Sequence, residues 1–239
     1  MERIQKVIAE CGYCSRRKTE KLIIDGKVKV NGNIVRELGT KVGHGDSIEV
    51  EGVVLDNNKN YEYYLLYKPR GVVSTSSDDK GRKTVVDLIN TNTRIYPIGR
   101  LDYDTTGVLL LTNDGNLANK LMKPNSEIDK VYIVKVEGIL TGYDIKRLRS
   151  GVMVDGKKTS KASVKLKSIS KEKNTSLVEI IIHEGRNRQV RKMIEAVGKK
   201  VLKLRRERYA FLDLTGLKVG EYRRLSNKEI AVLYSLIKN

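Results

Sequence analysis

The stretch GRLDYDTTGVLLLTNDG, residues 99–115, joins a polar loop bounded by glycines to an apolar run. Residues 108–112 have the composition of a buried strand, and Asn113-Asp114-Gly115 after them is typical of a turn. A loop attached to a buried strand gives its side chains a rigid support, which binding and catalytic residues need. Asp and Gly also form ordinary turns, so a plain interstrand loop is the alternative interpretation.

The segments on both sides of this stretch predict the fold class. Strand patterns and helix patterns follow one another without a regular order, which favours an α+β fold around a mixed, mostly antiparallel sheet. Ser226 and Glu229 have the spacing of a capping box before the last helix. We predict strands at residues 61–67, 95–98, 108–112, 131–137, 162–168, 176–182 and 201–204, and helices at 116–122, 143–149, 189–197 and 227–237.

The N-terminal part of the chain predicts a separate small domain. Apolar spacing indicates a helix over residues 4–11, and Ser15 is placed to cap a second helix. Asn31-Gly32 between two short strand patterns predicts a hairpin turn. Residues 56–60 contain no apolar side chain and predict a linker. We therefore expect two domains, residues 1–59 and residues 60–239.

Charge indicates the kind of partner. The chain has 47 Lys and Arg against 29 Asp and Glu, a net charge of +18. Residues 1–58 contribute +1 and the rest +17, so the first domain is basic only locally. A polyanion is the expected partner.

Composition also excludes several classes of protein. With 2 Cys and 2 His the sequence does not support a disulfide scaffold, a metalloenzyme or a His-based hydrolase, and we expect no metal. No apolar run reaches the roughly 18 residues of a membrane span, and the N-terminus lacks a secretion signal. We expect a cytoplasmic monomer with no membrane contact.

A second polar passage, EGRNRQVRKM at residues 184–193, is strongly basic. Arg188, Arg191 and Lys192 have the spacing of one helical face. Between residues 186 and 208 there are ten Lys or Arg and two acidic residues. This imbalance favours contact with nucleic acid over a solvated helix face.

These passages together resemble a known family. The stretch 99–115, KVYIVKV at 130–136 and HEGRNRQVRKM at 183–193 are similar to the three signature segments of the RsuA/RluB group of pseudouridine synthases. About the first 55 residues resemble an S4 RNA-binding domain, and residues 206–226 resemble the C-terminal part of the family. The resemblance covers nearly the whole chain, and three segments in order are far more specific than one.

The resemblance implies a reaction and its residues. The family detaches the uracil of a uridine and rejoins it through C5 without redox change, so no cofactor is expected. Asp102 falls on the family's nucleophilic aspartate, and Arg191 on an arginine that can act as its bidentate partner. Tyr132 falls on the active-site tyrosine, and Arg100 on the residue that fills the gap left by a flipped-out uridine. The resemblance is compatible with attack by Asp102 on C6 of the uracil and with attack on C1′ of the ribose.

Three further sites are assigned structural roles. Lys68 and Pro69 resemble the family's first motif, and we expect them to support the active loop. Asp104 is expected to shape that loop or to bind a basic neighbour. Cys11 and Cys14 lack a second pair or a nearby histidine, so we expect two partly buried thiols rather than a zinc site.

RNA-binding residues are predicted on both domains. Basic side chains on one helix and the next strand can form one face for RNA phosphates, although a solvated amphipathic helix is the alternative. The predicted RNA-binding residues are Arg16, Arg17, Lys18, Lys21, Lys27 and Lys29 in the first domain, and Arg100, Arg186 and Arg188 in the second.

The function that follows from the resemblance is an RNA pseudouridine synthase that modifies one uridine of ribosomal RNA, with 23S rRNA favoured. Three alternatives are a synthase acting on 16S rRNA, a non-catalytic RNA-binding or ribosome-assembly factor, and a glycosidase that uses Asp102 and Asp104 as paired acids.

Overall fold

The chain folds into two units. The computed structural model describes residues 1–56, 60–123 and 126–237. The predicted linker includes residues 57–59, which lie outside the described residues. The first unit comprises Met1–Glu62, Thr91–Ile95 and Asn113–Gly115, and the second comprises Tyr63–Asn90, Tyr96–Thr112 and Asn116–Asn239.

The first unit packs two helices against a small antiparallel sheet. Strands β3-β2-β5-β6 form that sheet, and β1 pairs with β4. Ile4, Ile8, Ile23, Val28 and Val50 are completely buried in its core. The described elements are β1 (Glu2–Arg3), α1 (Ile4–Glu10), α2 (Arg16–Ile24), β2 (Val28–Val30), β3 (Asn33–Val35), β4 (Lys41–Val42), β5 (Ile48–Val50) and β6 (Val53–Val54).

Local signals in the sequence explain the helix start and the hairpin of this unit. The Ser15 hydroxyl oxygen accepts a hydrogen bond from the Lys18 backbone N–H at 3.2 Å, which caps α2 as predicted. Asn31 and Gly32 both have positive φ, 50° and 82°, the geometry of a two-residue hairpin turn. Neither Cys11 nor Cys14 is in a disulfide, and the first thiol is half-buried and the second buried, as expected.

The second unit is built on one mixed sheet. Its strand order is β13-β14-β10-β15-β9-β7-β17, with β8 paired to β9 and β16 paired to β15. The described elements are β7 (Tyr63–Lys68), β8 (Tyr96–Ile98), β9 (Thr106–Thr112), α3 (Gly115–Met122), β10 (Lys130–Glu137), α4 (Gly142–Ser150), β11 (Met153–Val154), β12 (Lys157–Lys158), β13 (Ser163–Ser170), β14 (Thr175–Ile182), α5 (Gln189–Glu195), β15 (Lys200–Tyr209), β16 (Leu212–Asp213), β17 (Tyr222–Arg224) and α6 (Asn227–Ser235).

The sheet is mixed and mostly antiparallel, as predicted. Among the strands that the structure describes, β9 and β15 are the parallel pair, with Arg205 opposite Thr106 and Arg206 opposite Gly107. Apolar residues of β7, β9, α3 and α6 share one core, where Leu65, Val108 and Leu117 are completely buried. Burial of each such side chain contributes about 1.5–3 kcal/mol. Within the described residues, no helix is both long enough and apolar enough to cross a bilayer.

Most elements differ from their predicted bounds by one or two residues, and one strand differs by more. Strand β15 extends to Tyr209, whereas the apolar pattern predicted an end at residue 204. The extension carries Arg206 and Tyr209 as buried residues among exposed charged ones, so it lacks a continuous apolar signal. Helix α5 ends at Glu195, two residues before the predicted end. The capping box of Ser226 and Glu229 at the start of α6 is present as predicted.

Gly107 permits β9 and β15 to lie side by side. Its φ is 123°, and an added Cβ would lie 2.2 Å from the carbonyl oxygen of Arg206 and 2.5 Å from its backbone nitrogen. Neither backbone atom can move away as a flexible side chain could. The close approach of the two strands therefore requires glycine at this position.

We predict that Gly107→Ala destabilises the second unit. The strained φ alone costs about 1–3 kcal/mol, and separation of the strands adds to that cost. The measurement is the midpoint of urea unfolding. Gly142→Ala is the matched control, because a Cβ at Gly142, in the first turn of α4, meets nothing within 4 Å. Equal midpoints for Gly107→Ala and the unaltered protein would contradict the argument.

Candidate active site

A cavity of about 1020 Å³ opens in the second unit. Its lining comes from the loop after β8, from strands β10 and β15, and from the segment between β14 and α5. Arg100, Asp102 and Tyr132 all line it, so the structure brings these three predicted residues to one place. Sites for small molecules commonly have volumes of about 300–1000 Å³, so a nucleotide fits.

The backbone of the loop that carries Asp102 is fixed from beneath by Lys68. This side chain is completely buried at the end of β7. Its ammonium donates hydrogen bonds to the carbonyl oxygens of Pro69 at 3.0 Å, Asp102 at 3.1 Å and Thr105 at 3.1 Å. The predicted support of the loop by Lys68 and Pro69 is confirmed. Burial lowers the pKa of Lys68 to about 8, opposed by the charges of Asp102 and Asp104.

The side chains of the same loop are held by Arg191 from α5. Arg191 is 6% exposed, and its Nε lies 3.5 Å from Oδ2 of Asp102. Its Nη2 lies 3.0 Å from Oδ1 of Asp104 and donates to the Thr105 hydroxyl at 3.1 Å. The expected contact between Asp104 and a basic neighbour is therefore present. The guanidinium is divided between two carboxylates, so the expected bidentate pairing with Asp102 alone is wrong.

Asp102 is the carboxylate of this group that lines the cavity. Its side chain is 30% exposed, while that of Arg191 is 7% exposed. Nη1 of Arg188 lies 3.9 Å from Oδ2 of Asp102 at the other side. Tyr132, 8% exposed on β10, presents an aromatic side chain to the cavity, and Arg100 is exposed beside it. The arrangement offers a carboxylate between two cations and an aromatic surface suited to a planar base.

The predicted helical face of Arg188, Arg191 and Lys192 is wrong. Arg188 precedes α5 in a left-handed backbone conformation, with φ 51° and ψ 30°, so it is not on the helix. Nζ of Lys192 lies 2.5 Å from Oδ2 of Asp155, away from Asp102. The three side chains therefore contact separate groups. Arg191 and Arg188 approach Asp102 from different backbone positions.

The Arg186 side chain forms hydrogen bonds with other residues of the protein. Its Nε donates to Glu184 at 3.2 Å, and its two terminal nitrogens donate to the carbonyl oxygens of Lys157 at 2.9 Å and Lys158 at 2.7 Å. These contacts attach the segment before α5 to β12. Its role in RNA binding stays a prediction.

Two cations in the cavity wall were not among the candidates from sequence. Lys130 and Arg206 lie on β10 and β15 and line the cavity with Asp102. Burial, and after it the charge of Arg206, lowers the pKa of Lys130 to about 8. Lys130 could have been found by its spacing of two from Tyr132, which places both on one face of a strand. Arg206 gave no such signal, because charged residues occupy both sides of its strand.

The basic residues of the first unit fall into two groups. Arg16, Arg17, Lys18 and Lys21 are exposed on α2, and within the described residues none of them forms a salt bridge. The two strand lysines are paired instead, Lys27 with Glu51 at 2.9 Å and Lys29 with Glu49 at 2.8 Å. Strand β5 brings these acids opposite the lysines, so the expected continuous basic face is partly neutralised.

Residues 1–56, 60–123 and 126–237 contain no group of three or more His, Cys, Asp or Glu side chains that could hold a metal ion. The carboxylates of the cavity lining are those of Asp102 and Glu184, and its other polar groups include cations, hydroxyls and the side-chain amides of Asn187 and Gln189.

Comparison with known proteins identifies the family. The profile described as RNA pseudouridylate synthase matches residues 62–196, and the S4 domain profile matches residues 2–48. The chain belongs to the RNA pseudouridine synthases, with an S4 domain preceding the synthase domain. It is therefore an enzyme that isomerises uridine in RNA.

Individual relatives cover nearly the whole chain. Ribosomal large subunit pseudouridine synthase B of Bacillus subtilis (strain 168) is 56% identical over 237 residues, covering 99% of this chain and 97% of that protein. An RNA pseudouridine synthase of Aquifex aeolicus (strain VF5) is 38% identical over 238 residues, covering 98% and 94%. A crystal structure of a pseudouridylate synthase superposes with a TM-score of 0.68 and 30% identity, covering 98% of this chain and 100% of that one.

We predict that the rate of the chemical step falls above the pKa of Lys68. The neutral amine has two N–H groups, so it cannot donate to all three carbonyl oxygens that hold the loop. The single-turnover rate of pseudouridine formation should fall severalfold between about pH 7 and about pH 9. Lys68→Met should be slow throughout, and its rate should fall less steeply over this range than that of the unaltered protein.

A rate of the unaltered protein that stays constant over this range would contradict the prediction. Lys130 also has a pKa of about 8. A Lys68→Met profile that falls as steeply as that of the unaltered protein would therefore assign the whole effect to Lys130 and not to the loop.

Proposed function

We propose that this enzyme converts one uridine of ribosomal RNA to pseudouridine, in the 23S rRNA of the large subunit, with Asp102 as the catalytic carboxylate. The contact of the buried Arg191 with Asp102, whose carboxylate lines the cavity, is the observation that carries the proposal. The name of the Bacillus subtilis relative supports the large subunit as target. A ribosomal target also supports a cytoplasmic location, and we propose that the enzyme acts as a monomer.

The target uridine enters the cavity after it leaves its helix or loop, at a cost of a few kcal/mol in stacking and pairing. Arg100 is exposed at the cavity, two residues before Asp102, and its planar guanidinium can stack where the uridine was. Tyr132 is placed to stack on the uracil. Arg191 holds the Asp102 carboxylate in one orientation and supplies the positive charge that a reacting carboxylate needs nearby.

The reaction exchanges one bond for another at C1′ of the ribose. The C1′–N1 bond breaks, the uracil turns, and a C1′–C5 bond forms. C5 loses its proton, and N1 gains one, so the product has the mass of the substrate. Asp102 can assist by attack on C1′ or on C6 of the uracil, and both routes place the carboxylate against the bound nucleoside.

We propose residues 1–59 as the RNA-binding domain and residues 60–239 as the catalytic domain. In the first, the exposed cations of α2 are the principal phosphate contacts, and Lys27 and Lys29 contribute less because Glu51 and Glu49 pair with them. In the second, Arg188 and Arg186 are proposed to contact RNA at the cavity, with Arg186 acting through the segment that it holds.

We predict that Asp102→Asn abolishes catalysis and keeps RNA binding. The amide has nearly the shape of the carboxylate but no charge and little nucleophilicity, so the rate should fall on the order of 10⁴-fold. The measurement is tritium release from 23S rRNA that carries label at C5 of uridine. Asp79→Asn is the matched control, since Asp79 is exposed and outside the cavity lining.

Three outcomes would contradict the proposal. If the unaltered protein releases no tritium from 23S or 16S rRNA, the chain is an RNA-binding factor. Release from 16S rRNA alone would move the target to the small subunit. Free uracil among the products would indicate a hydrolase.

We predict that replacing Arg16, Arg17, Lys18 and Lys21 together by Gln weakens RNA binding and its salt dependence. Each lost phosphate contact should reduce the slope of log affinity against log salt by about 1. Filter binding of a 23S rRNA transcript over a potassium chloride series measures both quantities. The Lys27→Gln, Lys29→Gln double variant is the control and should change the slope less, because both lysines are already paired. Equal slopes for the fourfold variant and the unaltered protein would contradict a role of α2.

A further inference from the structure

A pair of cations in the cavity wall has no role in the chemistry described above. Arg206 is 4% exposed, and its Nε donates to the carbonyl oxygen of Val108 at 2.8 Å. Its Nη2 is buried and has no hydrogen-bond partner among the described residues. A buried donor without an acceptor costs about 1–3 kcal/mol, so a ligand that supplies an acceptor would recover that free energy.

Lys130 lies close to Arg206. The Lys130 ammonium is 5.8 Å from the ring centroid of Tyr209, and the Arg206 guanidinium carbon is 5.3 Å from it. Lys130 donates to the carbonyl oxygens of Ile128 at 3.0 Å and His183 at 2.5 Å. Within the described residues neither cation forms a salt bridge to a carboxylate. Asp129 is the acidic residue whose charge acts on Lys130, and it forms its ion pair with His183 instead. This wall of the cavity therefore holds two cations that are not in salt bridges.

The two cations lie beside the expected position of the base. Lys130 and Tyr132 are two residues apart on β10, so they share one side of the strand. Arg206 is opposite Tyr132 in the pairing of β10 with β15. All three line the cavity that contains Asp102. A uracil stacked on Tyr132 would thus have Arg206 and Lys130 as neighbours.

The burial of Arg206 in the cavity favours the base of the nucleotide, and not its phosphate, as the group that Arg206 contacts. A flipped nucleotide keeps its phosphates with the RNA backbone at the cavity mouth, where the exposed Arg100 and Arg188 lie. Arg206 is buried and can meet only what enters the cavity fully. Uracil offers two carbonyl oxygens, O2 and O4, as acceptors.

We propose that Arg206, assisted by Lys130, binds the carbonyl oxygens of the flipped uracil and stabilises the negative charge that the base carries while it is detached. This inference rests on the proposed reaction at Asp102. When the C1′–N1 bond breaks, its electron pair leaves with the uracil and is spread over N1, O2 and O4. After the base has turned, an electron pair on C5 forms the C1′–C5 bond, C5 loses its proton, and N1 is protonated.

The charge exists only between these two steps, so the two cations bind the detached base more tightly than they bind the substrate. An interaction that strengthens as charge develops accelerates the bond cleavage and does not merely tighten binding. The positions of the cations in a wall with little access to water increase their effect, because water screens them less.

A purely structural role is the alternative. The bond from Arg206 to the Val108 carbonyl oxygen joins β15 to β9, and loss of it could shift the whole loop. Such a shift would slow the reaction regardless of how stable the detached base is. The two roles therefore predict different effects on the rate when the detached base is made more stable.

The test combines protein variants with a more stable leaving base. Arg206→Lys and Lys130→Met are compared with the unaltered protein on 23S rRNA transcripts made with uridine or with 5-fluorouridine, at about pH 6.5, where Lys130 is protonated. Fluorine withdraws electrons and stabilises the detached base. Mass spectrometry of nuclease digests measures the rearranged nucleoside from both RNAs under single-turnover conditions. C5 of 5-fluorouridine has no proton to lose, so its rearranged nucleoside keeps the fluorine, has an N1=C6 double bond and is measured after water has added to that bond.

Arg205→Lys is the matched control. Arg205 is the adjacent residue of β15, is exposed, and pairs with Glu207 at 2.6 Å, outside the cavity lining. Thermal unfolding followed by circular dichroism verifies the fold of each variant.

The proposal predicts how much each of the three variants slows the reaction on the two RNAs. Arg206→Lys should slow the reaction of uridine roughly 100-fold and that of 5-fluorouridine less than about tenfold. Lys130→Met should show the same pattern with a smaller loss, and Arg205→Lys should match the unaltered protein.

Equal slowing on both RNAs would overturn the inference and leave Arg206 as a link between strands, and no slowing would overturn it also. These results are distinct from failure of the proposed function, in which the unaltered protein itself forms no rearranged nucleoside from the uridine transcript.

Discussion

The site depends on one buried guanidinium. Arg191 contacts the carboxylates of Asp102 and Asp104 and the hydroxyl of Thr105, and it is nearly inaccessible to water. A buried cation is costly unless opposite charge and hydrogen bonds compensate it. Here two acids of one loop, which would otherwise repel each other, supply that compensation. The same contact therefore stabilises the packing of α5 on the loop and orients the carboxylate proposed to react.

Lys68 complements this contact from the opposite side. Arg191 holds side chains of the loop, whereas Lys68 holds its backbone through three carbonyl oxygens. Because both groups hold the loop through contacts within the protein, the orientation of Asp102 does not have to be established at the moment of binding. Such preorganisation reduces the free-energy cost of reaching the reactive arrangement. The part of the site that stays accessible is the carboxylate itself.

Local signals in the sequence were sufficient for some parts of the structure. Helix α2 has its predicted bounds because a serine cap and apolar spacing are encoded within a few residues. The meeting of Asp102 with Arg191 has no local signal, and only the resemblance to a family indicated it. The sequence did not indicate Arg206 as a site residue, because this buried arginine follows an exposed arginine in the same strand. The residue types of β15 do not show which side faces the core.

Cross-strand register explains the other differences from prediction. Lys29 is paired because β5 lies beside β2 with Glu49 directly opposite, which charge counting along the chain cannot show. Arg188 adopts a positive φ that helical spacing does not anticipate. In both cases the side-chain environment is set by backbone geometry that depends on tertiary contacts.

The parallel pairing of β9 with β15 affects how the enzyme acquires its activity during folding. The paired residues are almost a hundred positions apart in the sequence, whereas β13 and β14 are joined by a short turn. Closure of the long segment costs more conformational entropy, so we expect the hairpin to form before this pairing. A chain with its hairpins complete but β9 and β15 still apart has no catalytic centre. Recovery of activity after refolding therefore reports completion of the sheet, while circular dichroism recovers earlier.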